Sequence, residues 1–234
     1  IAIVQHGLGS TRGNATDAFA DALAAEPYCL ASVAMDFPLH GDRATGGTSG
    51  EGFLSADLVG TKHYMLQSVV DQHVLVEVMM ADGLEPLLDD EGTVCAESGA
   101  NCFENAEFGY VGTSLGGILG SNFVATTPAV KNAVLTVAGA KFTQILLGGT
   151  IGEDLAAVLP GEEGTFERFQ TVQFIQWAAD PVEPWNFAAN TTGPTLPVRE
   201  YDGSEYEDGD EVDAASVLVQ MVEGDEVVPN STTQ

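Results

Sequence analysis

The sequence predicts an α/β fold, a mostly parallel sheet with flanking helices, on three observations. Short apolar, strand-like runs alternate with stretches of helical spacing, and parallel strands need such crossovers because no tight turn can join them. One of the strands runs through a glycine-flanked serine, GYVGTSLGG, straight into an apolar, helix-like stretch. Finally, 44% of the 234 residues are apolar without a run long enough to span a membrane, so the chain can bury a full core.

Taken in order, residues 1–9 (IAIVQHGLG) read as a strand, 13–25 as a helix and 29–37 (CLASVAMDF) as a second strand. Residues 55–82 carry Leu66, Val69, Val70 and Val74 at helical spacing, and a loop rich in Asp, Glu and Gly follows over 89–107. The strand at 108–111 and the helix at 115–123 flank the serine, and 133–140 and 216–222 read as two further buried strands. The interval between these last two is far longer than an ordinary crossover. Residues 1–140 are therefore expected to form the first part of the core, 141–215 a cap or lid insertion, and 216–234 the last part of the core. The insertion holds Phe166, Phe169, Phe174, Trp177, Trp185 and Phe187, followed by the acidic run EYDGSEYEDGDEVD. These aromatics either face an acyl pocket or, as expected for most of them, pack a small core belonging to the insertion.

Ser114 is the candidate nucleophile. A serine in this setting sits on a strand-to-helix turn so sharp that only glycine-sized neighbours fit two positions away, and Gly112 and Gly116 supply them. The residue after the serine, Leu115, then offers its backbone N–H to a developing oxyanion. Asp225, in EGDEVVP, leaves the end of the last strand, where carboxylates project into the crevice shared by strand ends; the alternative is a turn Asp beside Gly224. Asp180 is the second candidate acid, although Pro181 after it also suits a turn.

The base is the missing member. An elbow of this type is followed by Asp and then His, whereas His6, His40, His63 and His73 all precede Ser114. His6 is expected to support its own loop, together with Gly7, and His40 to shape the pocket rim. His63 and His73 fall on the long helix, with His73 on its apolar face as a packed core histidine. The expectation is therefore a fragment cut at both ends, with the first strands and the last strand missing and the catalytic His beyond Gln234.

Thirty-five acidic residues against seven basic ones give a net charge of −28, with Lys62, Lys131 and Lys141 as the lysines. Nucleic acid and anionic membrane surfaces are therefore poor partners, and no nucleic-acid partner is expected. Such a chain repels itself at low ionic strength, and at about 1 M salt, where the screening length is roughly 3 Å, the repulsion largely vanishes. A salt-adapted source is expected, with an ordinary acidic protein as the alternative. Cys95 and Cys102 flank the short loop CAESGANC, and either a disulfide or two free thiols suits that spacing; Cys29 stands apart. No metal or other cofactor is expected. The acidic loop around Asp89, Asp90 and Glu91 is read as solvated, with calcium as the alternative because that ion takes several carboxylate oxygens.

Together, IAIVQHGLG, DFPLHGDR, VGTSLGG and EGDEVVPN resemble the α/β-hydrolase superfamily, in its order and over most of the chain. TKHYMLQSVVD, the acidic loop before the serine and QWAADPVEPWNFA are more narrowly similar to bacterial extracellular lipases and esterases of the virulence-factor type. The resemblance implies an α/β-hydrolase-type sheet and a serine carboxylester hydrolase acting on an ester or lipid. It implies Ser114 as nucleophile, Asp225 as acid, Leu8 and Leu115 as oxyanion donors, and an extracellular or cell-envelope location. A peptidase or acyltransferase with the same triad, and a non-catalytic binding module, are the alternatives.

Overall fold

A computed structural model describes residues 1–55, 57–81, 107–148, 159–196, 199–201, 206–208, 214–225 and 227–233. Cys95, Cys102, Asp89, Asp90 and Glu91 lie outside these, so the expectations about a disulfide and about calcium fall outside the described residues. Among the described residues, five strands make one wholly parallel sheet: β1 (Ala2–Gln5), β2 (Ser32–Val33), β3 (Phe108–Thr113), β4 (Val130–Thr136) and β7 (Ser216–Gln220), in the order β2-β1-β3-β4-β7. A separate antiparallel pair is formed by β5 (Arg199–Tyr201) and β6 (Tyr206–Asp208).

Every residue of β1 is buried, as an interior strand covered on both faces requires. On one face, Ala2 and Val4 pack with Ala15, Phe19 and Leu23 of helix α1 (Arg12–Ala24). On the other, Ile3, Phe108, Tyr110 and Leu135 meet Val76 and Met79 of α2 (Leu58–Met80) and Phe123 and Val124 of α3 (Leu115–Thr126). Helix α2 forms as expected but turns a different face inward: it buries Met65, Ser68, Gln72, Val76 and Met79, whereas Val70 and Val74 of the expected apolar spacing are exposed; Asp57 caps it by accepting from the Gly60 N–H at 3.0 Å.

The segment from β4 to β7 contains α4 (Phe142–Gly148), α5 (Phe166–Ala179) and α6 (Pro184–Thr191). Helices α4 and α5 and the turn after α5 complete the main core: Phe142, Ile175, Ala179 and Val182 pack with Leu115, Leu119, Phe37 and Met65. The aromatics do not form the expected small core of their own. Phe166, Phe169, Phe174 and Trp177 are 57–73% exposed and lie on the side of α5 opposite Ile175 and Ala179, so this helix has an apolar face on each side. Among the described residues, no helix is long and apolar enough to cross a membrane.

The second strand is the largest departure from expectation. Only Ser32–Val33 pairs with β1, because the chain then leaves the sheet to be tied down around Asp36. That buried carboxylate accepts from the backbone N–H groups of Arg12 (2.7 Å) and Asp42 (3.1 Å) and from the Arg12 guanidinium, while Arg43 donates to its carbonyl at 2.9 Å. Burial alone would raise the pKa of Asp36, yet these donors hold its carboxyl below the usual carboxylate range.

Candidate active site

Ser114 lies between the last residue of β3 and the first of α3 with φ 54° and ψ −118°, a conformation that a residue with a side chain rarely adopts. Its neighbours leave no choice. The Ser114 N–H is held by the Thr136 carbonyl of β4 at 2.9 Å, and its carbonyl accepts from Ile118 N–H at 2.8 Å in the first turn of α3. A methyl group on Gly116 would lie 2.8 Å from the Gln5 carbonyl oxygen and 2.9 Å from that of His6, and one on Gly112 would collide with the Gly116 carbonyl. Tyr110, fully buried, donates to that same Gly116 carbonyl at 2.6 Å, so β3 grips the start of the helix that follows it.

The end of β1 lies directly beside this turn, since Gln5 is in register with Gly112. The chain then passes through His6, Gly7, Leu8 and Gly9, and a methyl on Gly7 would stand 3.2 Å from the Ser114 Cβ and 3.6 Å from its Oγ. Ser10 N–H closes the turn onto the Gly7 carbonyl at 3.2 Å. Leu115, first in α3, has no carbonyl within its helix to receive its N–H, so that donor is available at the strand end. The two proposed donor-bearing segments, at Leu8 and Leu115, thus flank one serine whose Oγ makes no hydrogen bond among the described residues.

His6 is fully engaged. Its Nε2 accepts from the Phe37 N–H at 3.1 Å, so its Nδ1 carries the proton and donates to the Gly7 carbonyl at 2.8 Å. Burial lowers its basicity, which keeps the ring neutral and both nitrogens in use. His40 is not at a rim, as expected from the sequence, but entirely buried, with its ring 4.9 Å from that of His6 and 5.0 Å from that of Phe53. His73 bonds Thr126 Oγ1 at 2.9 Å between α2 and α3, and His63 is exposed on α2. None of the four is bonded to Ser114 or Asp225 among the described residues.

Asp225 follows β7, the second strand over from β3, and all five strands point their C-terminal ends to the same edge of the sheet. One carboxylate oxygen, Oδ1, accepts from the N–H groups of Val227 (2.8 Å) and Val228 (2.9 Å), which fixes the side chain and leaves Oδ2 without a partner among the described residues. Val228 is buried against Ile118 of α3 and Ile145 of α4, so the Asp225 loop is anchored to the first turns of the helix that Ser114 begins. Asp180 instead heads a short 3₁₀ turn with Pro181 on the exposed side of α5, where Gln176 donates to it at 3.3 Å.

The sequence reading missed Glu183. Buried to 2%, it accepts from the N–H groups of Lys141 (2.8 Å), Phe142 (2.6 Å) and Trp185 (3.2 Å) and from the Gln176 amide (3.0 Å), joining α4, α5 and α6. No local signal marks it, because the first two donors are about forty residues away. Among the described residues, no group of three His, Cys, Asp or Glu side chains is placed to hold a metal ion. Compared with known proteins, the chain matches no family model, and no curated protein matches it significantly.

Proposed function

We propose that this protein is a serine carboxylester hydrolase that works through an acyl-enzyme on Ser114. The observation that carries the reading is the backbone of Ser114 at φ 54°, with the glycine loop after β1 packed against its side chain. Strain of this kind persists only where surrounding structure enforces it, and it lifts the hydroxyl clear of both strand and helix. In the proposed reaction Oγ attacks the ester carbonyl, and the N–H groups of Leu8 and Leu115 receive the negative charge on the carbonyl oxygen. A histidine base, a role that none of His6, His40, His63 and His73 is bonded to fill among the described residues, would take the serine proton and pass it to the departing alcohol, while Asp225 holds that ring through its free oxygen. Water then releases the acid by the same steps in reverse order of roles. Treating the native protein with a fluorophosphonate should modify Ser114 and abolish ester hydrolysis; modification elsewhere, with Ser114 unreacted, contradicts the assignment.

The outer face of α5 supports a lipid ester as substrate. Phe166 and Phe169 stack at 6.4 Å and Phe174 and Trp177 meet at 5.7 Å, forming an exposed aromatic stripe on a helix between β4 and β7. Aromatic rings on such a face suit a lipid–water boundary, and a net charge of −28 favours a neutral one. Phe174→Ser combined with Trp177→Ser is expected to slow hydrolysis of an emulsified long-chain ester by about tenfold, which corresponds to about 1.4 kcal/mol. Hydrolysis of a dissolved short-chain ester should stay unchanged, and equal loss on both substrates would remove the stripe from the reading.

A further inference from the structure

Besides the turn that Ser10 N–H closes onto the Gly7 carbonyl, the loop that carries Gly7, Leu8 and Gly9 is held by residues from one stretch of chain, 36–53. Phe37 N–H holds His6, as described above. Ser49 Oγ donates to the Ser10 carbonyl at 2.6 Å and itself accepts from Gly41 N–H at 3.0 Å, so one hydroxyl links the end of the glycine loop to the turn after β2. Gly50, at φ +81°, is wedged between the loop and an imidazole. A methyl group on it would lie 2.8 Å from the Gly9 nitrogen, 3.0 Å from the Gly9 Cα and 2.9 Å from His40 Nε2. His40 cannot retreat, because its Nδ1 bonds the Pro38 carbonyl at 2.9 Å and its ring packs on His6 and Phe53. Gly50 is tied to the turn after β2 by its N–H, which donates to the Leu39 carbonyl at 2.8 Å.

We propose that Ser49, Gly50 and His40 are positioning residues that brace the glycine loop from its outer side and set where the Leu8 N–H points. The inference rests on the acyl-transfer reading of Ser114. A donor that must meet charge only as it develops gains its effect from being fixed beforehand, so loosening the loop weakens transition-state binding and leaves substrate binding nearly intact.

The test compares Ser49→Ala, Ser49→Thr and Gly50→Ala in the native protein, with a dissolved short-chain ester and a trifluoromethyl ketone that forms a tetrahedral adduct. Ser49→Ala should lower kcat by about tenfold with KM within about twofold, and weaken the ketone by a similar factor. Ser49→Thr, which keeps the hydroxyl, should restore most of the loss. Gly50→Ala should lower kcat by about a hundredfold; if that variant does not fold, the two Ser49 variants decide. Unchanged kcat in Ser49→Ala, or a loss expressed only in KM, overturns the brace while leaving Ser114 in place. Turnover that survives Ser114→Ala overturns the acyl-transfer reading and the brace with it.

Discussion

Ser114→Ala is expected to reduce ester hydrolysis by roughly 10⁶-fold, and Ser114→Gly to do the same while making the protein more stable. The first effect follows because without Oγ no acyl-enzyme forms, and the oxyanion donors alone retain only a small part of the acceleration. The second follows from the backbone. A residue with a side chain at φ 54° and ψ −118° costs about 1–3 kcal/mol, and alanine pays it as serine does. Glycine removes that strain, while its greater freedom in the unfolded chain takes back about 0.5–1 kcal/mol, for a net gain of about 1 kcal/mol. Urea unfolding of the three proteins measures the difference. A glycine variant no more stable than the alanine variant would mean that the strain at Ser114 does not exceed the roughly 0.5–1 kcal/mol that glycine's freedom takes back, and the principal support for a nucleophile there would be lost.

The strand–turn–helix at Ser114 was legible in the sequence because its geometry is local. Gly112, Ser114 and Gly116 lie within five residues, and the strand and helix on either side are each set by their own apolar spacing. What could not be read depends on partners distant in the chain. The run at 29–37 has the composition of a strand, yet Arg12 and Arg43 draw Asp36 out of the sheet after two paired residues. Glu183 looks like any acidic residue before a proline until Lys141 and Phe142 are folded against it. The aromatics of α5 show why pattern alone falls short: Ile175 and Ala179 mark one apolar face and Phe166, Phe169, Phe174 and Trp177 another. Periodicity finds both faces, but only the position of α2 and α3 decides which one is buried. His40 was misplaced for a related reason, since DFPLHGDR has the look of a surface turn and its burial comes from Phe53, His6 and Gly50 closing over it.

Gly116→Ala should be severely damaging, costing about 3 kcal/mol or preventing folding. The reason is what the methyl would strike. The Gln5 and His6 carbonyls at 2.8 and 2.9 Å are backbone, and Gln5 is locked in register with Gly112 of β3, so relief requires parting β1 from β3 at the point where the glycine loop begins. A variant that folds would therefore carry the loop and Ser114 displaced from each other, and its activity should fall with its stability. Gly13→Ala supplies the contrast. That glycine lies in the first turn of α1, where the nearest atom to an added methyl is Thr11 Oγ1 at 3.6 Å, and the substitution should stabilise by about 0.5–1 kcal/mol through helix propensity and a less flexible unfolded chain. Denaturant midpoints of the two variants should move in opposite directions. Similar small shifts in both would show that β1 and β3 can separate freely at Gly116, which a turn holding a strained serine against the glycine loop does not permit.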